Sequence, residues 1–418
     1  MEPTQVLFEI GLLGPSRVGK TSLISSIFRD GQRLLKTSGV TIRANDRATE
    51  VKMRQQARAL DSLVQSRRFT PGALAANHTT VSFELLLDPR PTEDASSESG
   101  IALRMLDFPG GWLDPANRST THEDAWGEVS GFIVRSSVLI IPVDATVLME
   151  AVTDPQRGAV PLVLDTYDVG QVAREWARGR AAKPESPALV LFVPVKCESY
   201  FADNGGRHDR ADELFDRFRS VYGDVLDAIA GEAGRTEMLY VPVDTLGCVE
   251  RMSGTWVPDE DTHLRFEGRF LVRSKPSLSI HGVEDVLIAL CKTLLAARKT
   301  AEDQHVLATA ESAHVAHERA ERDRGLVGNI FRAVDRLATD AYGRDRVLDF
   351  VNRRTSVLRG IGLRRFGEYT TEVVSAERLD DAHERALEQL RVLNAVVDDF
   401  SSRTYSSRVR SLQAARTR

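Results

Sequence analysis

Cysteine is scarce in this 418-residue chain, with only Cys197, Cys248 and Cys291, far apart from one another. Three scattered thiols exclude a disulfide framework and a Cys-rich zinc site, so a reducing compartment is expected. Long apolar runs are also missing. Stretches such as Val138–Val143 and Leu189–Val195 have the length of strands, far short of the roughly 20 residues a membrane-spanning helix needs. The opening MEPTQVLFEIGLLG has no basic n-region, so no signal peptide is expected and the reading is cytoplasmic. No excess of positive charge exists: 55 Lys and Arg stand against 60 Asp and Glu, a formal net charge of −5. That excludes a protein built mainly to coat nucleic acid. Proline is absent after Pro276 and lysine after Lys299. A long proline-free stretch favours helix, because proline costs about 3 kcal/mol inside one. No repeat recurs at a fixed period, which excludes a solenoid.

What is present is an ordinary globular balance, 42% apolar and 28% charged, over a length that calls for two domains or one large domain with an appendage. The composition break near residue 299 divides the chain into a first domain over 1–299 and a helical domain over 300–418. In the first, short apolar runs alternate with helix-like stretches, the pattern of a doubly wound, mostly parallel α/β sheet. Strands are predicted at Val6–Leu13, Thr80–Leu87, Ile101–Asp107, Val138–Val143, Ala188–Val195 and Glu237–Val243. Helices are predicted at Lys20–Arg29, about Thr49–Ser66, Glu123–Arg135, Val169–Ala181, Ala211–Ala230 and Val283–Arg298. Residues 45–68 read as an inserted helix, and residues 250–280, with Trp256, Phe266, Phe270 and Val272, as an inserted β-hairpin.

Gly14-Pro15-Ser16-Arg17-Val18-Gly19-Lys20-Thr21 fits the G-x-x-x-x-G-K-[ST] pattern of a phosphate-binding loop. An apolar strand enters it and an amphipathic helix beginning Thr21-Ser22 leaves it, which is the required context. Glycines let backbone N–H groups wrap a polyphosphate at a helix N-terminus, where the dipole favours negative charge. Lys20 is assigned to the β- and γ-phosphates and the Thr21 hydroxyl to Mg²⁺. Arg17 either lies over the phosphates as a charge-neutralising finger in cis or points outward to solvent or a partner.

Ile101 to Gly110 reads as a strand ending in D-x-x-G. Asp107 at the carboxyl end of a strand beside the phosphate-loop strand is placed to hold Mg²⁺ through a water, and Gly110 to donate its N–H to a γ-phosphate. Gly111 follows, where many GTPases carry the glutamine that orients water. Slow hydrolysis, or help from a partner, is therefore expected. His122 and Glu123 are the substitutes within reach in the sequence. Of Thr79 and Thr80, where the second predicted strand begins, Thr80 is the candidate for a further Mg²⁺ contact.

Leu189 to Glu198 is an apolar strand ending in V-K-x-E. Guanine-specific proteins carry N-K-x-D or T-K-x-D here. The carboxylate accepts hydrogen bonds from guanine N1 and N2, and the lysine stem packs over base and ribose. Glu198 keeps the carboxylate, Lys196 keeps the stem, and Val195 loses the polar first position. Guanine is favoured over adenine because the acceptor that adenine cannot satisfy is retained. The run Met238 to Thr245 supplies the last strand and a base-side loop, with Thr245 in it.

Together these motifs resemble the translation-factor-related class of P-loop GTPases. The S-R-x-G-K-T loop and the D-F-P-G-x-W-L string from Asp107 to Leu113 look like the YcjX-like and double-GTPase families of bacterial GTPases, over about residues 5–298. The resemblance implies a cytoplasmic, Mg²⁺-dependent GTPase, often regulatory. V-K-C-E and Gly111 depart from the family pattern at base selection and at hydrolysis.

His305, His314 and His317 in the tail form no H-E-x-x-H pattern and read as surface histidines. Residues 351–367 carry five Arg and no acid, and residues 401–418 are also acid-free. These segments suit anionic lipid, nucleic acid or an acidic partner, or else pair with acidic faces of the tail such as Asp380, Asp381, Glu384 and Glu388. The favoured function is a GTP-binding and hydrolysing switch that reports nucleotide state to a protein partner, or through self-association, by way of its helical domain. The alternatives are a dynamin-like membrane GTPase and an ATP-binding P-loop regulator.

Overall fold

The computed structural model describes residues 6–35, 40–66, 79–89, 101–118, 120–184, 186–204, 208–233, 236–258, 264–272, 280–297 and 397–412. The chain divides into two compact units, one of Met1–Ala296 with His383–Arg418 and the other of Ala297–Ala382. Everything described below belongs to the first, apart from the last residue of one helix.

An eight-stranded sheet dominates this unit. In chain order its strands are β1 (Val6–Leu12), β2 (Val40–Ala44), β3 (Val81–Pro89), β4 (Ile101–Asp107), β5 (Val138–Asp144), β6 (Leu189–Val195) and β7 (Glu237–Tyr240), closed by β10 (Arg410–Ser411). Their spatial order is β10-β7-β6-β5-β1-β4-β3-β2. The five central strands from β7 to β4 are parallel. At the two edges β3, β2 and β10 run antiparallel to their neighbours. β5 and β6 are buried at every position, as continuous apolar strands covered on both faces should be. Pro142 and Pro194 lie beyond the last residues that β1 and β7 pair with. Their missing N–H groups therefore fall near the carboxyl ends, where the strands give way to loops.

The helices are α1 (Lys20–Leu34), α2 (Arg47–Ser66), α3 (Thr120–Arg135), α4 (Ala145–Met149), α5 (Asp154–Val163), α6 (Thr166–Ala181), α7 (Ala211–Glu232) and α8 over 283–297. Strand residues alternate between two cores, as period two demands. Val138, Ile140, Leu191 and Val193 face α1 and α8, where Leu23, Ile27, Val286 and Leu290 pack. Leu139, Ile141, Val190 and Phe192 face the other layer, with Ile133, Trp176, Phe218 and Tyr222. Trp176 is fully buried, and its indole N–H donates to the Ser136 carbonyl at 2.9 Å, which removes the cost of burying that polar atom. A separate two-stranded sheet of β8 (Val249–Pro258) and β9 (Leu264–Val272) forms the inserted hairpin.

The six predicted strands and the six predicted helices all occur, and the architecture is the expected mostly parallel α/β sheet with an inserted helix and hairpin. Besides α4 and α5, two helices between β5 and α6 that the sequence did not predict, three features differ from expectation. An unpredicted strand, β2, precedes the inserted helix, so the insertion is a strand plus α2 rather than a helix alone. Its five residues, with Thr41 and Arg43 flanking Ile42, are too short for a clear period. The second predicted strand, β3, runs antiparallel to β4 rather than parallel with the central strands. The third difference is at the end of the chain. Residues 397–412 were expected in the helical domain, but they lie in the sheet unit: Val397 and Phe400 enter its core and β10 pairs with β7. The arginines here are also engaged inside the unit. Arg403 bonds Glu284 and Asp399, Arg408 bonds Asp203 and Asp244, and Arg410 bonds Asp212. None of these partners belongs to the tail faces named from sequence. The helical region expected over residues 300–396, with its histidines and the 351–367 arginines, lies outside the described residues. Among the described residues no helix is long and apolar enough to cross a membrane.

Candidate functional site

The carboxyl ends of β1, β4, β5, β6 and β7 bring five loops to one edge of the sheet, where ligands bind in open α/β folds. The phosphate loop leaves β1 and turns into α1 through two left-handed residues, Arg17 (φ 62°) and Gly19 (φ 114°). Glycine meets the second demand without strain. Lys20 opens α1 and is buried, with its ammonium donating to the Gly14 carbonyl at 2.7 Å and the Pro15 carbonyl at 3.0 Å. The ammonium also stands 5.1 Å from the centre of the Phe108 ring. Burial lowers its pKa to about 8, and the charge of Asp107 opposes that shift. An ammonium so desolvated gains from an arriving polyanion. Ser16 and Arg17 are exposed, Val18 is buried, and Ser22 continues the first turn of α1.

Asp107 is buried at the end of β4, which pairs with β1. Its Oδ2 accepts from the Thr21 hydroxyl at 2.5 Å. Across the β3–β4 pair, Val81 stands opposite Asp107, so Thr80 flanks the same place. The Thr80 hydroxyl oxygen is buried with no hydrogen-bond partner. The Thr21 hydroxyl and the Asp107 carboxylate thus meet directly, and the Thr80 hydroxyl lies at the adjoining strand end; hydroxyl and carboxylate oxygens are the donor chemistry Mg²⁺ selects.

Gly110 lies directly on the phosphate loop. A Cβ there would be 2.1 Å from the Ser16 nitrogen and 2.2 Å from the Pro15 carbonyl carbon, whereas one on Gly111 would meet nothing nearer than Ser16 Oγ at 3.9 Å. Beyond them Arg118 fastens the stretch. It donates to the carbonyls of Trp112 at 2.6 Å and Leu113 at 2.9 Å, and stacks 4.2 Å from the Trp126 ring centre. His122 packs against Trp112, ring centres 5.0 Å apart, and its Nδ1 is buried without a partner. Glu123 is exposed and faces Arg118 at 3.7 Å.

The second half of the site lies at the ends of β6 and β7. Lys196 takes a left-handed turn (φ 59°), and its ammonium donates to the Arg17 carbonyl at 3.0 Å and to Asp144. Asp144 also caps α4, accepting from the Thr146 amide at 2.9 Å. Val195 packs on the phosphate loop, with its Cγ2 at 3.4 Å from where a Gly19 Cβ would stand. Glu198 is buried and accepts from the amides of Leu246 and Gly247, each at 3.4 Å. Burial, and then the charge of Asp244, push its carboxyl up to about 7, against the pull of those amides. The carbonyl of buried Thr245 accepts from the Ser26 hydroxyl at 3.0 Å, which ties the base-side loop to α1.

The residues singled out from sequence therefore assemble in two groups, joined by Lys196 on Arg17. Arg17 contributes its carbonyl to that joint while its side chain is exposed. Sequence reasoning missed Asp144, Asp244, Arg118 and Arg408. An aspartate closing an apolar strand was a visible signal for Asp144, since the same reasoning selected Asp107. The others act through contacts with no local pattern.

No family model matches the chain, and no curated protein matches its sequence. Among solved structures, similarity is found to the S. cerevisiae Ski7 GTPase-like domain. The form bound to GDP and inorganic phosphate matches at 11% identity with a TM-score of 0.33, and the form bound to GTP at 10% with a TM-score of 0.30. Each match covers 58% of this chain and 44% of that chain, less than half the length of the Ski7 structures.

Proposed function

We propose that the chain binds GTP and GDP with Mg²⁺, hydrolyses GTP slowly, and acts as a switch read by a protein partner or through self-association. The observation that carries this reading is the bond from Lys196 to the Arg17 carbonyl. It fastens the loop suited to a base onto the loop suited to phosphates, so that one nucleotide spans both. Backbone amides of residues 14–21 and the Lys20 ammonium would hold the phosphates. Glu198 would accept from guanine N1–H and N2–H₂, the Lys196 stem would cover the base, and the Thr245 loop would close its edge. Thr21, Asp107 and Thr80 would hold Mg²⁺, which when bound neutralises charge on the β- and γ-phosphate oxygens.

In hydrolysis a water attacks the γ-phosphorus, the bond to the β,γ-bridging oxygen breaks, and GDP and inorganic phosphate leave. Lys20 and the Gly110 amide would stabilise the charge that develops on the phosphate oxygens. Gly111 offers no side chain to orient the water, which removes part of the positioning contribution. Arg17 is the side chain of the loop free to fold over the phosphates. The test is single-turnover hydrolysis of GTP by the full chain over a range of protein concentrations, wild type against Arg17→Ala. A slow wild-type rate that rises with concentration or with a partner, and falls in Arg17→Ala, is expected. A rapid rate independent of concentration would remove the partner requirement, and an unchanged rate in Arg17→Ala would remove the finger.

A further inference from the structure

Residues 397–412 return to the sheet unit and lie against the base-side loops. The segment is anchored along its length. Phe400 is buried in the core, Ser406 bonds Asp285 through its amide at 2.7 Å and its hydroxyl at 2.6 Å, and β10 pairs with β7. The Arg410 guanidinium lies 4.6 Å from the Phe215 ring centre. Between these anchors Arg408 reaches inward. Its Nη1 donates to Asp244 Oδ2 at 2.9 Å, its Nη2 donates to Asp203, and its guanidinium stacks 4.0 Å from the Phe201 ring centre. Asp244 is completely buried. Its other oxygen receives the Cys197 thiol at 3.2 Å. Asp244 also begins the loop whose next residues, Leu246 and Gly247, give their amides to Glu198.

Resting on the guanine-nucleotide reading above, we propose that Arg408 is a positioning residue for base selection: by holding Asp244 it keeps the Glu198 carboxylate placed as an acceptor for the base. Asp244 and Glu198 are two carboxylates in one dry pocket. A buried charge that loses its partner is strongly unfavourable, and the pocket answers by binding a proton or by moving its loop. Either response costs Glu198 its role. A protonated Glu198 presents a donor to guanine N1–H, donor against donor, while adenine binding was never dependent on it. Specificity of this kind, built on a polar acceptor, is lost steeply once the acceptor is compromised.

The groups facing Glu198 fix the direction of the pH effect. Asp244 raises its carboxyl and the amides of residues 246 and 247 lower it. Cys197 beside it is pushed well above its usual thiol value by burial, then by Asp244 and Glu198, and so stays neutral. Arg408, itself shared with Asp203, meets Asp244 from the terminal segment. His281 meets Asp244 through main-chain pairing, and Lys196 is engaged by Asp144 and Arg17. Removing the Arg408 charge leaves the pair more negative, so the proton on Glu198 is held to higher pH.

The test is competitive binding of GDP and ADP to the full chain between pH 6 and 9. Wild type is compared with Arg408→Gln, Arg408→Lys and the double variant Arg408→Gln/Asp244→Asn, each checked by thermal unfolding. Wild type should prefer GDP above pH about 7 and lose that preference as pH falls through it. In Arg408→Gln the preference at pH 7 should drop about tenfold and its midpoint should move upward, with ADP affinity unchanged. Arg408→Lys should retain most of the preference. The double variant, which removes the Asp244 charge together with the cation that offsets it, should recover it. A wild-type preference and midpoint in Arg408→Gln would overturn this role alone, and so would a folded double variant that fails to recover. Absence of guanine preference in the wild type would instead overturn the nucleotide reading on which it rests. Should Arg408→Gln not fold, the Lys and double variants decide by the same readout.

Discussion

The two ends of the site are built in opposite ways. The end proposed for phosphates is almost one continuous stretch, residues 14–22, completed by Asp107 at the end of the neighbouring strand and Gly110 in the turn after it. The base end is gathered from residues 195–198, 244–247 and Arg408, which lie on three distant parts of the chain. The chemistry explains the contrast. A polyphosphate is recognised through backbone amides, a helix N-terminus and one ammonium, and a local turn supplies all of these. A base is recognised by a buried carboxylate whose charge must be offset, and the offset comes from wherever the fold can bring a cation. One end therefore depends on backbone shape, the other on long-range charge compensation.

If that contrast holds, the phosphate end should fail by steric change and the base end by change of charge. The largest effect is expected at Gly110. A methyl group there must displace the backbone of Pro15 and Ser16, and overpacking of that kind costs about 3 kcal/mol. Gly111→Ala, with open space around its position, should change stability by less than about 0.5 kcal/mol. Denaturant unfolding of both variants measures the difference. Equal effects would show that the close approach of the two loops is not a feature of the folded protein.

A smaller effect is expected from Glu198→Gln in the nucleotide-free protein. Glu198 has a folded-state pKa raised from 4.5 to about 7. Between these values the folded chain holds a proton that the unfolded chain has released, so its contribution to stability falls as pH rises and levels off above about 7. Glutamine keeps the amide acceptor and removes the charge. The variant should therefore gain on wild type as pH rises from 4.5, reaching about 1–3 kcal/mol above pH 7. Thermal unfolding at pH 5 and pH 8 checks this, and a difference independent of pH would contradict it.

The same contrast decides what the sequence made legible. β5 and β6 were readable as strands because their apolar residues run on together, β1 and β4 because a single charged residue, Glu9 or Arg104, interrupts an apolar stretch, and α1 because it follows a glycine-rich turn with the right periodicity. Lys20, Thr21, Asp107 and Gly110 were found because their spacing is local or nearly so. β10 has two residues, and its pairing with β7 depends on register across some 170 residues, where no pattern survives. The acid-free run over 401–418 was visible, but Arg403, Arg408 and Arg410 in it are satisfied by Glu284, Asp203, Asp244 and Asp212, partners the topology alone selects. Glu198 was legible as a carboxylate closing an apolar strand, the residue proposed as the base acceptor. That its carboxylate shares a pocket with Asp244 was not, because the two meet only when β6 and β7 lie side by side.

Whether one guanine nucleotide spans both ends is tested most directly by competitive titration of GDP and ADP against wild type, Lys20→Ala and Glu198→Ala at pH 8. Lys20→Ala should weaken both nucleotides by about a hundredfold, since the charge-assisted phosphate bonds serve either. Glu198→Ala should weaken GDP about tenfold or more and leave ADP unchanged, bringing the two affinities together. Equal binding of GDP and ADP by the wild type, or an unaltered preference for GDP in Glu198→Ala, would show that one guanine nucleotide does not span both ends.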